Sequence, residues 1–217
     1  MNQNNKGIYA RYVKRVLDFS VSLCALFILS PIFILLIISG AAAMKGNPFF
    51  VQKRPGKQGR DGKERIFRLL KFRTMTNDRG KDGMLLPDEQ RLNGYGRFLR
   101  KTSLDELPQL INVLSGSCAL IGPRPLLVQY LDRYSNEQRR RHEVRPGLTG
   151  YAQVHGRNAI SWNEKFRLDV YYVDHLTFGM DLKIIIDTVK VVLSREGISS
   201  ETAATMEEFM GNGEAAS

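Results

Sequence analysis

The chain has 217 residues, 43% of them apolar, and a formal charge of +10. That length suits one globular domain with appendages. Its two cysteines, Cys24 and Cys118, are too few and too far apart for a disulfide framework or a metal knuckle, which fits a reducing, cytosol-facing globule.

Charge is uneven along the chain. Residues 51–101 hold fifteen Lys/Arg against six Asp/Glu, so this block carries +9 of the total. Such a field points to an anionic partner: nucleic acid, lipid headgroups or a phosphorylated small molecule. Residues 19–44, "FSVSLCALFILSPIFILLIISGAAAM", contain no charged side chain. The apolar run is about twice the length of a signal-peptide h-region. It is long enough for a spanning helix, since roughly 20 residues cross the hydrocarbon. Pro31, after Ser30, interrupts it near the middle, and a proline inside a helix removes one hydrogen bond. Both flanks are cationic, with Lys6, Arg11, Lys14 and Arg15 before and Lys45, Lys53, Arg54 and Lys57 after, so the positive-inside rule places both ends on one side. A helix broken at Ser30-Pro31 that enters and leaves the same leaflet meets both demands, because two arms of about a dozen residues are each too short to cross. A kinked single span is the competing reading.

Downstream, residues 49–52 and 65–72 read as two short strands around a Gly-rich turn. A helix begins near Pro87, weakened by Gly94 and Gly96. "LPQLINVLSG" reads as a short helix stopped at Gly116. "GPRPLLVQYLDRYSNEQRRRHEV" is a Pro-punctuated loop and then a helix, and "RPGLTGYAQVHGRN" is an ordered loop suited to binding groups. From Phe178 the apolar positions Leu182, Ile185, Ile186, Val189, Val192 and Leu193 form a helical stripe. It packs either on the core or, beside a membrane anchor, along the bilayer interface. The tail from Ser199 is small, polar and acidic, which predicts disorder.

"KTSLDELPQL" places the acid pair Asp105-Glu106 just after a run of cations. Ser103 and Glu106 have capping-box spacing, and acids in a first turn suit the helix dipole. Pro108 opposes that reading, because a proline belongs at the first helical position. The surroundings offer another use. Arg97, Arg100 and Lys101 share a helical face, Arg124 lies between Pro123 and Pro125, Lys71 and Arg73 alternate on one strand face, and Arg145 and Arg157 bracket the Gly-rich loop. Adjacent residues point about 100° apart on a helix, so the two acids divide labour. One carboxylate can attack phosphorus while the other holds Mg²⁺ against a diphosphate. Neutralisation by metal and arginines is then required, which is a reason to set acids among cations.

The stretches "FRLLKFRTM", "LDELPQLINVLSG", "GPRP", "VRPGLTGYAQVHGRNAISW" and "LDVYYV", with the Ser-Pro-interrupted apolar helix, resemble the bacterial sugar transferase family, the monotopic polyprenol-phosphate phosphoglycosyl transferases. The match runs from about residue 11 to 195, as in the small type made of the catalytic core alone. The resemblance implies that Asp105 attacks the β-phosphate of a UDP-sugar and expels UMP. Undecaprenyl phosphate then takes the phospho-sugar from the aspartyl intermediate. It also implies that Glu106 binds Mg²⁺, that Pro123, Arg124 and Pro125 lie at the nucleotide, and that residues 16–44 are the re-entrant helix. Lys71, Arg100, Arg145 and Arg157 are the phosphate-binding candidates, and Asp169 and Asp181 are supporting acids, although Asp181 equally suits a helix cap. The run from Gly122 to Val173 looks especially like the enzyme that uses UDP-N,N′-diacetylbacillosamine to start protein-glycosylation lipids. Two positions depart from the pattern: Gly116-Ser117-Cys118-Ala119 stands where many relatives read Gly-Asp-Met-Ser, and Tyr151 where Trp is common.

The expected architecture is α+β. A basic flank and re-entrant segment (residues 1–45) precede a catalytic domain with interfacial amphipathic helices on the cytoplasmic face of the inner membrane (46–198), followed by the tail (199–217). Expected partners are a UDP-sugar, undecaprenyl phosphate and membrane lipid, without nucleic acid. The rival is a non-enzymatic, membrane-anchored basic module that holds anionic lipid or nucleic acid. That rival gives no reason for an acid pair among the cations.

Overall fold

The computed structural model describes residues 7–156, 160–194 and 208–211. A π-helical turn, Tyr9–Val13, leads into α1, Lys14–Ala43, whose middle is exposed and apolar: Phe27 is 82% and Ile28 71% exposed. Together they form one helix long and apolar enough to cross a membrane. Against the expected helix–break–helix, α1 runs unbroken through Ser30-Pro31. The physical reason is local. Pro31 cannot donate to the Phe27 carbonyl, and the Ser30 hydroxyl donates to it instead, at 2.8 Å.

Strands β1 (Phe49–Gln58) and β2 (Glu64–Phe72) form an antiparallel hairpin, pairing Phe49 with Phe72 and Lys53 with Arg68. Both are longer than the sequence signal. The register slips between Pro55 and Gln58, where proline lacks the N–H that a ladder needs. Helices α2 (Asp88–Arg91) and α3 (Gly94–Thr102) follow, then a 3₁₀ turn at Leu104–Glu106 and α4 (Gln109–Leu114). Gly116 ends that region with φ +82°. Gly96, which weakens α3 by propensity, is where α3 lies against the chain: a Cβ there would meet the Thr74 carbonyl at 1.9 Å.

Strand β3 (Ala119–Ile121) pairs in parallel with β4 (Gly147–Thr149). Between them lie 3₁₀ turns at Val128–Arg133 and Arg140–Glu143 around the four-residue α5 (Asn136–Arg139), in place of one longer helix. The Gly-rich segment is more regular than a loop, since it supplies β4 and α6 (Tyr151–Val154). Helices α7 (Trp162–Asp174) and α8 (Phe178–Ser194) complete the fold.

Three apolar clusters position these elements. Leu36, Phe72 and Leu99 join α1, β2 and α3. Leu69, Val113 and Cys118 join β2 to α4. Ile121, Val144, Tyr172, Val173 and Ile184 join β3 to α7 and α8. The core-facing reading of the α8 stripe is corrected. Ile184 and Asp181 are the buried positions, whereas Phe178, Leu182, Ile185, Ile186 and Val189 are exposed; the side chains of 192–194 lie outside the description. Of the tail expected to be disordered, residues 199–207 and 212–217 lie outside the described residues. Residues 208–211 return to the globule, and Phe209 is buried among Tyr130, Tyr134, Trp162 and Phe166.

Candidate active site

Ser103 ends α3 in the left-handed region, φ 56°, where its backbone N–H caps the helix on the Arg100 carbonyl but its side chain makes no capping hydrogen bond to the next turn. The capping box is therefore absent, and Asp105-Glu106 occupies the 3₁₀ turn before Pro108 and α4. One side of this turn is set by Asn112, a buried amide on α4. It accepts from the Leu70 N–H (2.9 Å) and donates to the Arg68 carbonyl (2.8 Å), fastening α4 to β2. Lys71, the residue after Leu70, is thereby brought to the acids. Its Nζ donates to Glu106 Oε1 at 2.7 Å and lies 3.7 Å from Asp105 Oδ2.

The other side is set by the Gly122–Pro125 loop. The Gly122 N–H donates to the Thr149 carbonyl, and the Gly147 N–H donates to the Pro123 carbonyl at 3.0 Å. No side chain fits between them: a Cβ on Gly147 would meet the Gly122 nitrogen at 2.1 Å. With Pro123 and Pro125 buried, the exposed Arg124 side chain reaches Glu106 Oε1, Nη2 to oxygen 2.7 Å.

The two carboxyls are driven apart in acidity. Burial pushes the Asp105 carboxyl above its ordinary value, and the Glu106 charge adds to that, while Lys71 opposes it. Burial would raise Glu106 as well, but the Arg124 and Lys71 charges outweigh it and hold this carboxyl at about 2. Glu106 is thus the fixed anion, and Asp105 is the carboxylate whose burial the cations do not offset.

Both line a cavity of about 1400 Å³. Lys71, Arg73, Arg100 and Arg124 line it too, with Arg100 Nε donating to the Thr74 hydroxyl at 3.1 Å. Apolar side chains also line it, with Val21, Ala25 and Leu29 from α1 and Ile185 and Val189 from α8. The lining therefore combines cations with membrane-type side chains. Such a cavity can accept both a phosphorylated group and an aliphatic chain.

Other expected site residues lie elsewhere. Arg145 donates to the Gly116 carbonyl (2.9 Å) and does not line the cavity. Asp181 accepts from Tyr9 (2.6 Å), Lys14 (2.6 Å) and Tyr172 (2.7 Å), so it ties α8 to the N-terminal helix rather than capping α8. Asp169 lines the cavity but is paired with Arg141. Arg97 donates to the Leu92 carbonyl, facing away from the acids. Arg157 lies outside the described residues.

Sequence reasoning missed three cations that line the cavity, Arg54, Arg91 and Lys165. Burial, with Arg124 nearby, lowers Arg54 to about 10, and burial lowers Lys165 to about 8. Lys165 follows Trp162 on α7, a helical spacing that could have drawn notice; Arg54 had no signal beyond its charge.

Among the described residues no three His, Cys, Asp or Glu side chains cluster as a metal cage. The adjacent Asp105-Glu106 carboxylates fit the sparser requirement of Mg²⁺, which takes one or two carboxylates and completes its shell with water and substrate phosphate.

Residues 9–195 match the family described as Bacterial sugar transferase. The chain is 51% identical over 206 residues to the uncharacterized sugar transferase EpsL of Bacillus subtilis, covering 94% of this chain and 99% of that protein. It is 35% identical to the undecaprenyl-phosphate galactose phosphotransferase of Salmonella typhimurium, covering 87% of this chain and 42% of that protein. It is 33% identical to the UDP-glucose:undecaprenyl-phosphate glucose-1-phosphate transferase of Xanthomonas campestris pv. campestris, covering 87% of this chain and 40% of that protein. The chain therefore spans nearly all of the first relative and about two fifths of the other two.

Proposed function

The chain belongs to the bacterial sugar transferase family, and on that premise we propose that it moves a phospho-sugar from a UDP-sugar to undecaprenyl phosphate, with release of UMP. One observation carries the reading: a carboxylate whose pKa is raised by burial, Asp105, sits beside a cation-held one, Glu106, in a cavity lined by both cations and apolar side chains. The names of two relatives supply both substrate classes.

In the reaction, an Asp105 carboxylate oxygen attacks the β-phosphorus of the UDP-sugar. The bond from that phosphorus to the bridging oxygen breaks, and UMP departs with the electron pair. An aspartyl phospho-sugar remains. A phosphate oxygen of undecaprenyl phosphate then attacks the same phosphorus, the bond to Asp105 breaks, and the free carboxylate returns. Lys71, Arg100 and Arg124 offset the negative charge that otherwise keeps a carboxylate from a diphosphate. Glu106 would hold Mg²⁺, which would supply further charge neutralisation when bound. We assign the sugar as UDP-N,N′-diacetylbacillosamine or a related UDP-N-acetylated sugar. Its support is the likeness of the run from Gly122 to Val173; two of the relatives above are named for galactose and glucose, and a screen across UDP-sugars decides.

The membrane-bound half of the reaction is consistent with both ends of α1 lying on one side of the bilayer, the cytoplasmic side of the inner membrane. Both ends of α1 are fastened to the same globule. Arg15 donates to the Val113 and Leu114 carbonyls, Tyr95 donates to the Leu36 carbonyl and Asn93 to that of Ala43.

The test is UMP release with Mg²⁺, a UDP-sugar mixture and undecaprenyl phosphate. Asp105→Asn is expected to lower turnover by roughly 10³-fold or more, to abolish labelling by radiolabelled UDP-sugar, and to stay membrane-bound. Normal turnover by this variant would refute the nucleophile. Anion binding without any UMP from the unmodified chain would favour the non-enzymatic basic module.

A further inference from the structure

The guanidinium that meets Glu106 sits in an unusual backbone setting. Pro123 and Pro125 have no N–H, so the loop is gripped through its carbonyls, and three in succession are used. Pro123 O accepts from Gly147 N (3.0 Å), Arg124 O from Arg141 Nη2 (2.7 Å) and Pro125 O from Arg54 Nη1 (3.4 Å). The middle tether comes from a side chain only 2% exposed. Arg141 also donates to Asp169 Oδ2 from Nε (3.0 Å) and Nη2 (2.7 Å), and to the Tyr134 hydroxyl at 3.4 Å. The rings of Tyr134 and Phe166 lie 5.9 and 5.7 Å from its guanidinium carbon.

A buried ion pair is a poor stabiliser by default, because desolvation offsets its attraction and apolar residues of similar volume do as well. Apolar replacements could not, however, hold a carbonyl. The fork geometry of a guanidinium lets one group grip a carboxylate and a backbone oxygen at once, which an ammonium on a lysine stem does not reproduce. We propose that Arg141, clamped by Asp169, is a positioning residue that holds the Arg124 carbonyl and so keeps the Arg124 guanidinium on Glu106. Asp169 thereby acquires a task other than acid–base chemistry. The inference rests on the phospho-sugar transfer proposed above, with Arg124 as one of its charge-neutralising groups.

The experiment is a double-mutant cycle on UMP release in membranes. Arg141→Lys is expected to lower kcat/KM by about 10²-fold, the scale of a small misplacement of a charge-neutralising group. Arg124→Ala lowers it by itself. If Arg141 acts through Arg124, adding Arg141→Lys to Arg124→Ala costs less than a further factor of two. Equal losses in both backgrounds would mean a merely structural role and would overturn the proposal, as would normal turnover by a folded Arg141→Lys protein. Folding is read by thermal unfolding. Should Arg141→Lys fail to fold, the same cycle is run with Asp169→Asn, read by the same two criteria. Absence of UMP from the unmodified chain would instead overturn the reaction itself and leave Arg141 as a structural residue.

Discussion

Asp105 and Glu106 share a three-residue turn and nearly the same cations, yet they end with opposite tendencies. Geometry separates them: Glu106 Oε1 receives Lys71 and Arg124, each at 2.7 Å, while Asp105 has Lys71 only at 3.7 Å. A carboxyl whose value is raised loses its charge as pH falls through that raised value, so the proposed attack by Asp105 would be present above it and lost below. Glu106, at about 2, keeps its charge throughout. The acid limb of the pH profile is therefore assigned to Asp105. Lys71 is the leading influence that lowers Asp105. Lys71→Met is expected to move the acid limb of UMP release to higher pH, besides slowing it at neutrality. A limb that stays in place would show that another group governs it. In the sequence, the acid pair, Lys71, Arg100 and Arg124 were all legible as charges. Their convergence was not, because Asn112, which brings β2 to the turn, has no signature beyond being a polar residue in an apolar helix.

At the level of elements, legibility followed the length of the pattern. The β1–β2 hairpin and α8 showed in the sequence because each repeats its period several times. Strands β3 and β4 did not, since a three-residue strand has no period to read, and their pairing joins distant segments. Period also fails to tell direction. The apolar stripe of α8 identified a helix, but the stripe faces outward and Asp181 inward, because Tyr9, Lys14 and Tyr172 satisfy that buried carboxylate. Glycines carry information that propensity misreads. Gly94 and Gly96 both lower helix propensity, but a Cβ at Gly94 meets only Arg97 Nη2, at 4.0 Å, whereas one at Gly96 or Gly147 meets backbone. Gly94→Ala is therefore expected to raise stability by about 0.4–1 kcal/mol. Gly147→Ala is expected to cost about 1–3 kcal/mol or more, since it overpacks the backbone contact that aims Arg124. Thermal unfolding of the solubilised protein measures both, and equal shifts would mean that β4 can yield.

For the whole molecule, the question is how a charged soluble donor and a lipid acceptor reach one phosphorus. The globule answers by gripping both ends of an apolar helix whose middle it leaves bare. Asn93 donates to the Ala43 carbonyl at one end, Phe33 packs on Phe49 and Phe72 in that half with ring centroids 6.4 and 5.2 Å apart, and Arg15 holds the carbonyls that end α4 near the other end. A straight helix of this length measures about 45 Å. In a spanning arrangement one end would be carried to the far face of the bilayer, away from a globule that touches both ends. The exposed face of α8 adds apolar surface next to the N-terminal end of α1, where Tyr9 meets Phe178 at 5.8 Å. Side chains of both helices line the cavity that holds the acid pair; in the proposed same-side arrangement the pair would sit at headgroup depth, where the phosphate of a lipid acceptor lies. This arrangement makes a topological prediction. In a Cys24→Ser background, Ile8→Cys and Lys45→Cys flank the helix at exposed positions. Both are expected to react with a membrane-impermeant maleimide in inverted vesicles and neither in right-side-out ones. Labelling of one site from each side would establish a span, and the grip of the globule on both ends of α1 could not then survive in the membrane.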